Sequence, residues 1–168
     1  MIARGACAAL ALVALGCAAI APGLAPEPSL HLSTLDGEGD ATRRASLRIV
    51  LDGLRAETAG DAERANGLYQ RALQVDSGNP YAYLALARQS VEQDEPQLAL
   101  EYVARAEDLL AAEGDALSPG AEAHLDGLRG AALTLEGERV QGSELLERAA
   151  QRAPDVWGDA RLDAAELQ

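Results

Sequence analysis

The chain has 168 residues, 48% of them hydrophobic but only 3% aromatic, and carries a formal net charge of −13. Every basic residue is an arginine, and there is neither a basic stripe nor a set of aromatics for stacking bases. This argues against nucleic acid as a partner and keeps the folded surface away from an anionic bilayer. The two cysteines, Cys7 and Cys17, both lie near the start, so no disulfide staples the body of the chain.

Met1 to Gly16 holds one charge, Arg4, followed by a run of Ala, Leu and Val, the outline of a secretory signal. The run falls short of the about 20 residues that a membrane span needs, so cleavage is expected over permanent insertion. Val13-Ala14-Leu15-Gly16-Cys17 resembles a bacterial lipobox, with a small residue before the cysteine and Ala14 where leucine is usual. The resemblance implies that Cys17 becomes the first mature residue and is acylated. Several acyl chains, at about 0.8 kcal/mol per buried CH₂, anchor where a single myristoyl chain would not. It also implies, from Ala18 in the next position, an outer-membrane anchor facing the periplasm in an organism with two membranes. An unmodified Cys17, giving a soluble secreted protein, stays open as an alternative.

Residues 17–41 are read as the lipidated start and a flexible tether, because Pro22, Pro26, Pro28 and Asp36-Gly37-Glu38-Gly39-Asp40 show no helical period. At roughly 5–6 Å times the square root of residue number, such a tether holds the remainder about 25–30 Å from the lipid. Its acids lack the spaced Asp/Asn and distal Glu of a calcium loop, so no metal is expected there.

From residue 42 the apolar residues take up a 3.6-residue period, and the spacing predicts helices over 42–58, 61–75, 80–93, 96–112, 119–136 and 139–152. A last short helix over 156–167 follows Pro154-Asp155. Asn79-Pro80 and Ser118-Pro119 pair a capping side chain with a proline whose fixed φ suits the first helical position. Ala65, Tyr69 and Ala72 form an i, i+4, i+7 seam on one helix face and return thirty-four residues later as Ala99, Val103 and Ala106. Gly142, Leu146 and Ala149 make a third copy, displaced by a further nine residues that fit the loop around Gly114 to Pro119.

Ala65-x3-Tyr69-x2-Ala72-Leu73-x-Val75-Asp76 resembles the second half of a tetratricopeptide repeat, with Gly53 similar to its first-helix glycine. The resemblance covers roughly residues 46–156. It departs at Ala87, where glycine is usual, at Ser90, where an aromatic is usual, and at Gly142 in the third seam. It implies an all-α fold, a short α-solenoid of about three helix pairs within 42–168. The repeats fall near 46–79, 80–113 and 123–156, with a capping helix at 156–167 whose Trp157, Leu162 and Leu167 cover the third pair.

Matched to the family pattern, Val50, Leu54 and Glu57 from the first unit would line a concave groove. Tyr81, Leu84, Arg88 and Val91 would join them from the second, and His124, Ala131 and Thr134 from the third. Tyr81 and Arg88 are the foremost anchor candidates, since Tyr and Arg carry much of the energy at interface centres. The lysine-and-asparagine carboxylate clamp of chaperone-binding relatives is missing, because lysine is absent and Asn66 and Asn79 sit elsewhere. The expected function is a lipid-anchored adaptor that binds a protein partner in the cell envelope, without cofactor or catalysis. His31 and His124 are isolated, and no catalytic motif appears. A self-associating structural spacer is the competing reading.

Overall fold

The computed structural model describes residues 29–112 and 117–168; the expected signal sequence, Cys17, the first part of the expected tether and part of the Gly114–Pro119 loop lie outside them. Six long helices form three antiparallel pairs. They are α1 (Ala41–Thr58) with α2 (Ala62–Val75), α3 (Pro80–Glu92) with α4 (Pro96–Ala112), and α5 (Pro119–Glu136) with α6 (Arg139–Arg152). Among the described residues there are no strands.

Local chemistry sets the helix starts. Asp40, Asp61, Asn79 and Ser118 each accept a backbone N–H from the first turn, at 2.8, 3.1, 3.0 and 3.2 Å. Gly137 ends α5 in the left-handed region, at a φ of 97° that a side chain would resist.

The expected seam holds the pairs together. Ala65, Tyr69 and Ala72 are fully buried, as are Ala99, Val103 and Ala106. Gly53 of α1 lies so close to the Tyr69 ring that a Cβ there would come within 2.7 Å of Cδ1. The second unit swaps both halves of that contact: Ala87 and Val103, both buried, add a methyl where there was none and remove a ring. In the third seam Gly142 and Ala149 are buried, Leu146 is half-buried, and its neighbour Leu145 takes the deeper position.

Between units, Asn79 is buried and donates to Ser46 Oγ at 2.9 Å, while Ser46 donates to the Ala72 carbonyl at 2.8 Å. The polar joint thus ties the first pair to the start of the second. The outer face of α6 ends the stack with exposed Arg139, Gln141, Glu144, Glu147, Arg148 and Gln151; only Val140, 75% exposed, is apolar among them. Such a polar face suits a terminal unit that stacks on nothing further.

Two sequence expectations need correction. The helix expected over 156–167 is two single turns, α7 (Pro154–Trp157) and α8 (Ala164–Leu167). Gly158 weakens the helix, Ala160 turns left-handed at φ 62°, and Asp163 starts a new turn through a capping box with Glu166. Nor is the far part of the expected tether free of the fold. Residues 29–35 dock on the fold, with a 3-10 turn at Leu32–Leu35 and Leu32 fully buried.

Candidate partner-binding cleft

The first helices of the pairs, α1, α3 and α5, lie side by side and form the inner surface of the stack. Both ends of the described chain return to that surface. α8 packs on α1 and α3, the 3-10 turn packs on α1, and the backbone N–H of Ser33 donates to the Gln168 carbonyl at 2.6 Å. His31 Nδ1 donates to the Glu166 carbonyl at 2.7 Å, and Ser29 donates to Asp155 at 2.7 Å. The cap expected over the third pair therefore crosses the hollow side, and Leu167 is fully buried there.

One face of α5 receives the returning chain. Gly120, His124 and Gly127 lie at i, i+4 and i+7; a Cβ on Gly120 would meet Leu30 N at 2.6 Å, and one on Gly127 would meet Trp157 Cδ2 at 2.5 Å. His124 sits between the two and is fully buried. Its Nε2 donates to the Leu30 carbonyl at 2.9 Å and its Nδ1 accepts from Trp157 Nε1 at 3.2 Å, which fixes a neutral tautomer. Burial lowers the His124 pKa from its ordinary 6.5, the Leu30 hydrogen bond opposing this and His31 adding to it. This histidine is a packing group, not a groove residue.

Glu57 does not line the groove but pairs with Arg88, and the remaining groove candidates separate into three sets. Val50, Leu54 and Leu84 are fully buried in the core. Tyr81 is half-buried beside Leu35, Glu38 and Leu47, away from Arg88. Arg88, Val91, Ala131 and Thr134 do come together, in an open cleft of about 440 Å³. Leu146, Trp157 and Leu162, expected as packing residues, also line it, and so do Glu92, Leu128, Leu135, Ala160 and Arg161, which were not expected on the groove.

Arg88 is 2% exposed and held by carboxylates: Nη1 donates to Glu92 Oε1 at 2.8 Å and Nη2 is ion-paired with Glu57 Oε2. Its Nε has no hydrogen-bond partner among the described residues. Burial works against the charge, yet Glu57 and Glu92 outweigh it and hold the guanidinium above its ordinary pKa. Glu57 also accepts from Tyr69 Oη at 2.7 Å and from Gln89 Nε2 at 3.3 Å. Burial, followed by the bond to Glu57, pushes the Tyr69 phenol well above its ordinary range. Arg88 is thus a strut between α1 and α3 as well as a wall of the cleft. No group of three His, Cys, Asp or Glu among the described residues is placed to hold a metal ion.

No protein-family model and no curated protein matches this chain. Among solved structures, the N-terminal domain of stress-induced protein-1 (STI-1) from C. elegans superimposes with a TM-score of 0.56 at 18% identity. The superposition covers 73% of this chain and 96% of that one. The fold is a tetratricopeptide-like helical repeat. Nearly all of that neighbour is matched, so this chain has the body of a short repeat stack with further residues beyond it. No helix among the described residues is long and apolar enough to cross a membrane.

Proposed function

We propose that this protein is a non-catalytic adaptor that binds a protein partner through the cleft at α3, α5 and α6, and that it is lipid-anchored in the bacterial cell envelope at Cys17. The observation that carries the binding half is the open, largely apolar cleft on the inner surface of a tetratricopeptide-like stack, walled on one side by the returning Trp157–Leu162 segment and not filled by it. Concave clefts of this size with a few placed polar groups are the usual form of a binding site. The polar outer face of α6 favours an adaptor over a self-associating spacer.

The lipobox-like Val13–Cys17 supports the anchor. Ala18, directly after Cys17, supports the outer-membrane leaflet facing the periplasm as the proposed site. Two experiments test the two halves. Acyl labelling should mark the wild type and not Cys17→Ser; equal labelling removes the anchor. Crosslinking in intact cells should capture partners that Leu135→Arg loses, and partners retained equally by that variant remove the cleft.

A further inference from the structure

Shape and charge are unevenly distributed around the cleft. Its walls are apolar, with Val91, Leu128, Leu146, Trp157 and Leu162, and Leu135 stands 44% exposed at its rim. The neighbouring charge is mainly negative. Arg88 in the wall is matched by two carboxylates, Glu57 and Glu92. The turn after α3 adds exposed Asp94 and Glu95, and the last residue of α5 and the turn after it add exposed Glu136 and Glu138, against exposed Arg139 and Arg161.

The C-terminal ends of α3 and α5 meet this edge, and neither has a basic residue in its last turn. Their terminal carbonyls therefore add partial negative charge with no cation in the last turn to answer it. The whole chain, at −13, extends the same field outward and draws in positive segments.

We propose that the cleft docks a cationic amphipathic segment of a partner protein, its aliphatic side chains against Val91, Leu135 and Leu146 and its lysines or arginines over the acidic turns at Glu92–Glu95 and Glu136–Glu138. This rests on the adaptor reading and adds the chemistry of the partner. An acidic segment meets like charge at both turns. A neutral one leaves the field unused. Arg161, the exposed cation of the lining, opposes a basic ligand, so reversing it strengthens docking.

Trp157 is the only tryptophan and lines the cleft, so its emission reports occupancy. The full chain in maltoside micelles is titrated with three short peptides that share two leucines and carry four lysines, four serines or four glutamates. The lysine peptide should shift the emission and bind at least about tenfold more tightly than the other two, with affinity falling as salt rises. Arg161→Glu should tighten it several-fold and Leu135→Arg should abolish it, with far-UV circular dichroism unchanged in both. Equal binding of the three peptides, tighter binding of the serine or glutamate peptide, or no emission change with any of them overturns the proposal. If Leu135→Arg still loses partners in cells after such a result, the adaptor reading survives and only the basic partner falls.

Discussion

The seam of the first helix pair and the inner face of α5 use the same spacing for different ends. Ala65-x3-Tyr69-x2-Ala72 puts one ring between two small residues and joins two helices of a pair, with Gly53 opening room for the ring. Gly120-x3-His124-x2-Gly127 also puts one ring between two small residues, but what enters there is Leu30 from the segment before α1 and Trp157 from the segment after α6. A gap in a helix face is thus neutral as to what fills it. Sequence-near helices fill the first and chain ends fill the second.

The comparison breaks most severely at Trp157. Trp157→Ala removes a fully buried ring and leaves His124 Nδ1 without its donor, so urea unfolding should report a loss of about 3–5 kcal/mol. Hydrogen exchange should rise first at residues 29–35 and 164–168, while the Tyr69 seam stays protected.

The seam answers to a smaller change. Gly53→Ala drives a methyl into the Tyr69 ring and should cost about 1–3 kcal/mol. Made together with Tyr69→Val it copies the Ala87 and Val103 arrangement of the second unit, and a double-mutant cycle should show about 1 kcal/mol or more of the methyl's cost recovered. Strict additivity would show that the two units do not share this packing rule.

Acid separates the two regions as well. His124 is neutral when folded and has its pKa lowered by burial, whereas the unfolded chain takes up its proton near 6.5. Stability is therefore fully present above about pH 6.5 and declines as pH falls below it, by at most about 1.4 kcal/mol per unit until the folded pKa is passed. The difference between wild type and His124→Gln in chemical denaturation across pH 7 to 5 isolates this term; a constant difference would contradict it.

The weakest expected effect is at Arg48, whose pair with Asp36 at 3.0 Å is exposed on both sides. Arg48→Ala should change stability by less than about 1 kcal/mol, since the docked segment is held by Leu32 and main-chain hydrogen bonds.

The repeat was legible because its contacts recur: a seam at Ala65 that reappears at Ala99 is evidence that one copy alone would not give. The face of α5 occurs once, so periodicity had no means of finding it. Leu30, Leu32 and Leu35 were the only hint that the stretch before α1 had something to bury, and prolines and acids around them outweighed that hint. Asp163-x-x-Glu166 is a capping box written in the sequence, and with Gly158 it marks the break in the expected last helix. Val50, Leu54 and Leu84 were placed on the groove by family position, which holds for a bare stack; here α1 and α3 are the helices that α8 covers. Arg88, Val91 and Thr134 stay at the cleft because the Trp157–Leu162 segment forms a wall beside the ends of α3 and α5 without filling the space between them.

The hydrogen bond from Ser33 to Gln168 makes the described chain a loop in space, although it is a line in sequence. Joining those two ends by a few residues and opening the chain in the connection between α4 and α5 would give a rearranged order of the same helices. In that order residues 29–35 and 164–168 would become neighbours along the backbone, and the contact between them would become local instead of long-range.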